Sequence, residues 1–335
     1  METLDWANLG FAYRKTPYNV RCTSKNGKWG ALEVSSDEYI PIHMAASCLH
    51  YGQEAFEGLK AQRGRDGRIR LFRVADNARR MITSAEQVMM DQPPVELFVE
   101  AVNKAVSMNK DLVPPFGSGA SLYIRPLLIG TGAQVGVKPC SEYMLVVFVM
   151  PVGPYFKGGE TQISGVVMRD FDRAAPRGTG HVKVGGNYAA SMLSGEMAHG
   201  KGYDTVIYLD PATKTTIEEA GAANFFAIKN NTYITPMSHS ILPSITNKSL
   251  EQIAKDLGMK VERRAVSLTE CATFEEAGAC GTAAVVTSIG KIDDLEKGVT
   301  YTFGKGVVAK KLRERMVAIQ QGEAEDIHGW VSIVE

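Results

Sequence analysis

The sequence has little that would mark a metal, disulfide or membrane protein. Its 335 residues include five scattered cysteines and no CxxC pair, which argues against a zinc ribbon or a dithiol redox site. No apolar run reaches the roughly 18 residues that a membrane helix needs. The first residues lack the basic and apolar regions of a signal peptide. We therefore expect a soluble, cytoplasmic protein with reduced thiols.

The chain also lacks an excess of either charge. Lys and Arg together number 37, as do Asp and Glu, so the formal net charge is zero. This balance argues against a nucleic-acid partner or an anionic membrane surface. The six histidines follow no HExxH spacing, and neither a P-loop nor a G-x-S-x-G elbow is present. We therefore expect no metal, no nucleic acid and no membrane among its partners.

The length and composition indicate two globular domains. The chain is long enough for two domains of ordinary size, with 44% hydrophobic and 22% charged residues. The segment 151–159 is the richest in Pro and Gly near mid-chain, which is typical of an interdomain linker. The predicted division is a first domain at 1–152, a linker at 153–163 and a second domain at 164–335. Strand-rich stretches interleaved with single helices favour a mixed α/β or α+β fold over regular βαβ winding.

Local patterns predict the individual elements. Apolar residues at i, i+3 and i+4 predict helices, and alternating or β-branched runs predict strands. The predicted helices are 74–87, with Asp76 or Asn77 as N-cap, and 95–109, 188–199, 244–257, 271–277 and 304–320. The main predicted strands are 69–72, 121–125, 144–150, 165–168, 205–209, 216–220, 224–228, 232–235, 261–266 and 281–289.

The most distinctive stretch is the glycine-rich run 178–188, which has Lys183 near its centre. Four glycines in nine residues, two on each side of the lysine, indicate a backbone that turns tightly or approaches something closely. Two interpretations are open from this stretch alone. The lysine could be a solvated residue of a surface loop, or it could form a Schiff base with an aldehyde cofactor.

An aldehyde cofactor of the pyridoxal type needs a carboxylate against its ring nitrogen. Glu219 is a candidate because the small residues 220–223 follow it and would let a flat ring approach. The alternative is an exposed carboxylate on a strand. Such a cofactor also needs a hydroxyl near its ring oxygen. Tyr188 is a candidate, because it is the first residue of the predicted helix after the lysine.

A phosphate on such a cofactor needs backbone amides or a cation. Ile245 and Thr246 begin a predicted helix, whose N–H groups favour a phosphate, although Ser244 can also be explained as an ordinary N-cap. Thr282 could supply an amide and a hydroxyl, or it could belong to a tightly packed strand of small residues. Arg80 lies on the helix 74–87, where an arginine is commonly solvated.

These residues, with the sequence strings around them, resemble the branched-chain amino-acid aminotransferases, pyridoxal-phosphate enzymes of fold type IV. The resemblance spans the chain from about Gly10 to Trp330. The strings that carry it are Leu49-His-Tyr51, Ala55-Phe-Glu-Gly-Leu-Lys-Ala61, Ser121-Leu-Tyr-Ile-Arg-Pro126, Gly136-Val137, Pro151-Val-Gly-Pro-Tyr-Phe156, Lys183-Val-Gly-Gly-Asn-Tyr188, Glu219-Ala-Gly-Ala-Ala-Asn-Phe225, Ile241-Leu-Pro243 with Ile245-Thr246, and Cys280-Gly-Thr-Ala283.

The resemblance implies a fold, a reaction and a cofactor site. The fold would be like that of D-amino-acid aminotransferase, with a small N-terminal α/β domain and a larger C-terminal pseudo-barrel domain that binds pyridoxal 5'-phosphate. The reaction would move an amino group between leucine, isoleucine or valine and 2-oxoglutarate, giving glutamate, through a Schiff base on Lys183. The other cofactor contacts would be Tyr188 to the ring oxygen, Glu219 to the ring nitrogen, and Arg80, Ile245, Thr246 and Thr282 to the phosphate.

The resemblance also implies substrate contacts and a homodimer, alone or within a higher oligomer. Tyr123 and Arg125 would bind the acidic side chain, and Tyr123 would also help to place the α-carboxylate. The remaining implied contacts are the amides of Thr282 and Ala283 for the carboxylate, an apolar wall of Tyr13, Phe56 and Tyr155 with Lys60 nearby, and Tyr51, Val135 and Val137 reaching the site from the other subunit.

Three alternatives stay open at this point. A D-amino-acid aminotransferase, an aminodeoxychorismate lyase and a catalytically inactive homologue would share much of this pattern, although the length and the Tyr123-Ile-Arg125 string favour the branched-chain branch. Some members of the family carry a CxxC after the Gly-Thr-Ala string. Here those positions are Ala284 and Thr287, so we expect no redox control by thiols.

Overall fold

A computed structural model describes residues 4–153, 162–283 and 285–335. Contacts divide the chain into two compact units. The first comprises Met1–Tyr155, Val182–Gly185 and Ala318–Glu335, and the second comprises Phe156–His181 and Gly186–Val317. Most of the predicted linker lies outside the described residues, so the predicted domain boundaries stay a prediction.

The first unit is built on an antiparallel sheet of nine strands. Its strands are β1 (Asn19–Lys25), β2 (Lys28–Trp29), β3 (Glu33–Ser35), β4 (Glu54–Phe56), β5 (Leu59–Arg63), β6 (Ile69–Phe72), β7 (Ser121–Gly130), β8 (Glu142–Val152) and β18 (Val331–Val334). The order is β18-β6-β5-β7-β8-β1-β2, with β3 paired to β1 and β4 paired to β7. Strands β7 and β8 pair from Ser121 opposite Val152 to Gly130 opposite Tyr143. Both are largely buried, as their apolar runs predict.

Two longer helices pack against the core of this sheet. The helices of the first unit are α1 (Ser47–Tyr51), α2 (Val74–Gln87) and α3 (Val95–Met108). The predictions of helices at 74–87 and 95–109 are confirmed, and Phe98 and Val102 on α3 are fully buried. The predicted N-caps of α2 are wrong. The cap is Arg73 in the left-handed region, at φ 55°, and the Asn77 side chain is buried in the unit instead.

The second unit contains a closed ring of strands. Its strands are β9 (Ile163–Val167), β10 (Thr205–Leu209), β11 (Ile217–Ala220), β12 (Ala223–Lys229), β13 (Thr232–Pro236), β14 (Lys260–Arg264), β15 (Glu276–Gly281), β16 (Val285–Asp294) and β17 (Val299–Thr302). The order is β11-β10-β9-β16-β15-β12-β13-β14, and β11 also pairs with β12. That extra pairing closes six strands into a ring, so the predicted mixed α/β fold with a pseudo-barrel is confirmed.

The remaining helices are α4 (Gly185–Gly200), α5 (Ile245–Asp256) and α6 (Val307–Gln321). Helix α4 begins three residues before the predicted start, at Gly185. The predicted helix at 271–277 is wrong, because a 3-10 helix ends at Thr273 and β15 begins at Glu276. The residues of β15 pair with β12 on one side and β16 on the other, and this ladder outweighs their local helix propensity.

Three findings bear on the exclusions made from the sequence. The five cysteines are free thiols. In the part of the chain that the structure describes, no helix is both long and apolar enough to cross a bilayer. Nor do three or more His, Cys, Asp or Glu side chains within that part form a group that could hold a metal ion.

Candidate active site

Lys183 is held in the first unit at both of its backbone groups. Its N–H donates to Ser84 Oγ at 3.0 Å, and its carbonyl accepts from the Phe56 N–H at 3.0 Å. The flanking Val182 and Val184 are buried in the core of the same unit. The side chain of Lys183 is itself partly buried. A solvated lysine on a surface loop would show none of these features, so the first of the two interpretations is excluded.

The surroundings of Lys183 favour its neutral amine. The Nζ atom lies 4.5 Å from the centroid of the Phe56 ring. Burial first, and then the positive charge of Arg80, lower the pKa of Lys183 from 10.5 to about 8, while the Glu57 carboxylate acts in the opposite direction. An appreciable fraction of this lysine is therefore unprotonated near neutral pH, as a nucleophile or general base requires.

An aromatic aldehyde should therefore form an imine with Lys183 at a rate that rises with pH through a midpoint near 8. Only the neutral amine attacks the aldehyde, so the rate follows deprotonation of Nζ. Stopped-flow absorbance of the aldehyde measures the rate in the protein and in a Lys183→Met variant, whose signal is subtracted as the contribution of other lysines. A midpoint near 10.5 in the difference would contradict the lowered pKa.

Arg80 on α2 is bound by a buried carboxylate. Its Nε and Nη2 donate to the two oxygens of Glu57 at 2.7 and 2.8 Å, and the Arg80 side chain is only 11% exposed. Glu57 follows β4 and has no exposed surface. The alternative of a solvated helix arginine is therefore excluded. Glu57 was not identified from the sequence, although it lies within the Phe56–Lys60 string.

Arg125 and Tyr123 lie on one face of β7, as residues i and i+2 of a strand do. Arg125 Nη2 donates to the Tyr123 hydroxyl at 2.9 Å. The guanidinium carbon lies 4.7 Å from the ring centroid of Phe56 and 5.3 Å from that of Tyr123. The buried Nε of Arg125 has no hydrogen-bond partner among the described residues. A stacked guanidinium with a remaining donor is suited to binding a carboxylate.

Other residues predicted from the sequence lie on the surface of the first unit. The Tyr51 hydroxyl donates to the Val135 carbonyl, and Tyr51, Val135 and Val137 are all exposed. Tyr13 is also exposed, and its hydroxyl donates to Glu38 at 3.0 Å. Lys60 is partly buried on β5, opposite Tyr123. Tyr155 lies outside the described residues.

In the second unit, Glu219 on β11 is a buried carboxylate, with 3% of its surface exposed. Its Oε1 accepts from the Leu242 N–H at 2.7 Å and from Asn224 Nδ2 at 3.3 Å. Its Oε2 lies 3.5 Å from Arg173 Nε. These contacts exclude an exposed strand carboxylate, and they hold Glu219 in one orientation.

Arg173 is a buried partner of Glu219 that the sequence did not reveal. It is 7% exposed, and its Nη2 donates to the carbonyls of Gly180, at 2.6 Å, and Ser240. At Gly180 a Cβ would come within 2.3 Å of the Ser240 carbonyl oxygen, so only glycine fits this close approach. Since the partners lie 7 and 67 residues along the chain, no local pattern could have identified Arg173.

Helix α5 places its N-terminus in the same network. Ser244 caps the helix, since its Oγ accepts from the Asn247 N–H at 3.2 Å. Asn247 Nδ2 donates to Asn224 Oδ1 at 3.0 Å, which connects the helix to Glu219. The cap uses the third amide of α5, and the first amides of any helix have no intrahelical partner. The amides of Ile245 and Thr246, the first two residues of α5, are therefore placed as an anion-binding pair would be.

The remaining cofactor candidates of the second unit occupy turns or helix starts. Tyr188 is partly buried in the first turn of α4. Thr282 and Ala283 are partly buried in the turn that follows β15.

Comparisons with known proteins identify the family of the chain. Residues 54–292 match the Amino-transferase class IV family. The chain is 49% identical over 335 residues to the branched-chain-amino-acid aminotransferase of Helicobacter pylori strain J99, covering 99% of this chain and 98% of that protein. It superimposes on the branched-chain amino acid aminotransferase of Escherichia coli with a TM-score of 0.79 at 27% identity, covering 94% of this chain and 99% of the other. For the branched-chain amino acid aminotransferase of Thermobaculum terrenum in its PLP-form, the TM-score is 0.78 at 23% identity, with 96% and 100% covered, and this likeness shows the fold.

Proposed function

This chain belongs to the class IV aminotransferase family, and from that membership we infer that it transfers amino groups between branched-chain L-amino acids and 2-oxoglutarate. The observation that carries the inference is the full-length similarity to enzymes of this activity, on a chain whose Lys183 has a lowered pKa. The protein is a branched-chain amino-acid transaminase that uses pyridoxal 5'-phosphate. Its substrates are small molecules, namely leucine, isoleucine or valine with 2-oxoglutarate, and glutamate with the branched 2-oxo acids.

The activity is tested by supplying L-leucine and D-alanine separately with 2-oxoglutarate. Formation of glutamate from L-leucine is expected. Activity with D-alanine alone would instead favour the D-amino-acid aminotransferase alternative. Absence of both activities in a protein that binds the cofactor would favour the inactive homologue.

The described residues fit pyridoxal phosphate. When bound, it supplies an aldehyde for an amine and a protonated ring that withdraws electrons from the substrate Cα. Lys183 offers an amine of lowered pKa, Glu219 offers a buried and fixed carboxylate, and α5 begins with two amides suited to a phosphate.

We propose the following assignment of cofactor contacts. Lys183 binds the aldehyde carbon, Tyr188 donates to the ring oxygen and Glu219 accepts from the ring nitrogen. The phosphate is bound by the Arg80 guanidinium, by the amides of Ile245 and Thr246, and by Thr282.

We also propose that Lys183 moves the proton of the substrate Cα. Once the substrate amine has replaced Nζ on the aldehyde carbon, the released neutral Nζ would accept the proton as a general base and return it as a general acid, and a pKa of about 8 suits both roles at neutral pH. The two backbone hydrogen bonds to Ser84 and Phe56 keep this segment in place while the side chain moves.

The substrate contacts proposed for the first unit explain how one pocket accepts both leucine and glutamate. Phe56 supplies an apolar surface to a leucine side chain, and Arg125 lies against the same ring. The Arg125 guanidinium would supply the positive charge for a second carboxylate, and its hydrogen bond fixes Tyr123 beside it. In the second unit, the amides of Thr282 and Ala283 would bind the α-carboxylate.

Arg125→Ala should therefore damage the reaction of glutamate more than that of leucine. We expect kcat/KM for glutamate to fall by roughly 10- to 100-fold, the usual worth of hydrogen bonds to a charged group, and that for leucine by less than about threefold. Steady-state kinetics with each amino donor measure the two losses. Arg125→Lys is the companion variant, since it keeps the charge and loses the fork geometry. Equal losses for both donors would contradict an arginine dedicated to the acidic side chain.

We propose that the enzyme is a homodimer in which Tyr51, Val135 and Val137 complete the substrate site of the other subunit. The support is their exposure, at 43%, 76% and 88%, because exposed apolar side chains that lie together commonly mark an interface. A monomer in sedimentation velocity at assay concentrations would contradict this proposal. The five free thiols are consistent with the further proposal of a reducing, cytoplasmic location.

A further inference from the structure

We propose that Glu57 is a positioning residue, which holds the Arg80 guanidinium in the orientation that binds the cofactor phosphate. The proposal rests on the function proposed above, and it assigns a role to a residue that would not touch cofactor or substrate. It concerns the first unit alone.

The first step is that Glu57 is itself fixed. Its backbone N–H donates to the Pro126 carbonyl of β7 at 2.8 Å. Its Oε2 accepts from Asn77 Nδ2 at 2.7 Å and from the Gly58 N–H at 3.2 Å. The carboxylate therefore has protein donors on two sides in addition to Arg80, and it cannot rotate without losing them.

The second step is that Glu57 determines the plane of the guanidinium. The two hydrogen bonds from Nε and Nη2 are parallel and short, which is the bidentate geometry that fixes both the position and the orientation of an arginine. Glu57 thus binds one edge of the Arg80 guanidinium. Because the guanidinium is planar, this contact also determines the orientation of its other edge. Without the carboxylate, the Arg80 side chain would sample several rotamers. Binding the phosphate would then have to order that side chain, and the lost conformational entropy would weaken binding.

The third step is that stability alone is a poor reason for this pair. Taking two charges out of water costs several kcal/mol per ion, and apolar residues of similar volume commonly do as well. A carboxylate with no exposed surface is therefore best explained by what it does to its partner. The same short segment also fixes Lys183, because the N–H of Phe56 binds the lysine carbonyl.

The two possible roles of Glu57, positioning Arg80 and supplying negative charge, predict opposite effects of its removal on phosphate binding. If Glu57 acted only through its charge, its removal would leave Arg80 uncompensated and would strengthen the attraction for a phosphate dianion. If it positions Arg80, its removal weakens phosphate binding. Pyridoxal lacks the phosphate but keeps the ring and the aldehyde, so the ratio of the two dissociation constants isolates the phosphate contribution.

The experiment measures the dissociation constants of pyridoxal phosphate and of pyridoxal for the apoenzyme by absorbance titration. Glu57→Gln is expected to reduce the ratio Kd(pyridoxal)/Kd(pyridoxal phosphate) by roughly 10- to 100-fold, the worth of a hydrogen-bonded charged contact. In an Arg80→Met background the same change should alter the ratio by less than about threefold, since the partner is gone. Asn77→Ala, which removes one donor and no charge, should reduce the ratio by a smaller factor.

Two exposed residues of α2 provide matched controls, Glu86→Gln for the loss of a carboxylate and Arg79→Gln for the loss of a guanidinium, and neither should change the ratio. A ratio that stays constant or rises in Glu57→Gln overturns the proposal, and so does an equal loss in the Arg80→Met background. If Glu57→Gln does not fold, an unchanged ratio in Asn77→Ala overturns it instead. Failure of the wild-type protein to bind pyridoxal phosphate would contradict the proposed function itself, which separates the two failures.

Discussion

Replacing Lys183 with alanine is expected to lower transamination between leucine and 2-oxoglutarate by on the order of 10⁴-fold or more, the upper range for loss of a general acid–base group. The loss would combine the two roles proposed for Lys183, the covalent contact to the cofactor and the proton transfer at the substrate Cα. The fold should be retained, because the hydrogen bonds to Ser84 and Phe56 use only the backbone of residue 183. Turnover is measured by glutamate formation, and folding by circular dichroism.

A second measurement on this variant tests the lowered pKa. In the wild-type apoprotein Lys183 binds a proton in the unfolded chain but not in the folded chain between about pH 8 and pH 10.5, so its contribution to stability rises with pH across that window. Lys183→Ala should lack this rise in urea unfolding experiments. Lys255→Ala, at an exposed position on α5, serves as the control for both measurements. Near-normal turnover in Lys183→Ala would refute the assigned role.

Glu219→Gln is expected to lower turnover by roughly 10²- to 10³-fold, the usual effect of removing one preorganised electrostatic contact from an active site. An amide cannot stabilise the proton on the ring nitrogen as a carboxylate does, so the substrate Cα becomes less acidic. The variant should also lose stability, because the buried ion pair between Glu219 and Arg173 is broken. Single-turnover kinetics with leucine measure the chemical step directly.

Glu218 provides the matched control for this experiment. It is the preceding residue of β11 and is buried to the same degree, but alternate residues of a strand point to opposite faces. Its Oε1 accepts from Ser238 Oγ at 2.8 Å. Glu218→Gln should therefore change the single-turnover rate by less than about threefold. Equal rate losses in the two variants would show that burial of a carboxylate in β11, and not its contact with the ring, is what the reaction needs.

The periodicity of the sequence predicted the two longer helices of the first unit, α2 and α3, but not the short helix α1. In α2 and α3 the apolar residues recur on one face over fourteen residues, and a pattern of this length has no plausible strand alternative. The stretch 271–277 was too short for this test, and pairing with β12 and β16 decided its structure. Strand β18 was not predicted. It has only four residues, and no turn signal beside them distinguishes a strand from irregular structure.

The chemistry of individual residues was less predictable from the sequence. The sequence left Lys183 and Glu219 each with two interpretations, because burial and hydrogen-bond partners decide between them and both come from distant parts of the chain. Glu57 lies 23 residues from Arg80, and Arg173 lies 67 residues from Ser240. A resemblance between sequences identifies residues that touch the cofactor more readily than residues that hold those in place.

The late position of β18 has a consequence for how the protein is made. This strand pairs with β6 through contacts such as Val331 with Phe72, about 260 residues apart in the chain. On a ribosome, β6 leaves the exit tunnel long before its neighbour has been translated, and meanwhile it presents an unpaired edge to other nascent chains. Contacts of such separation also slow folding. Synthesis of this enzyme should therefore depend on chaperones that shield the edge of β6 until β18 emerges.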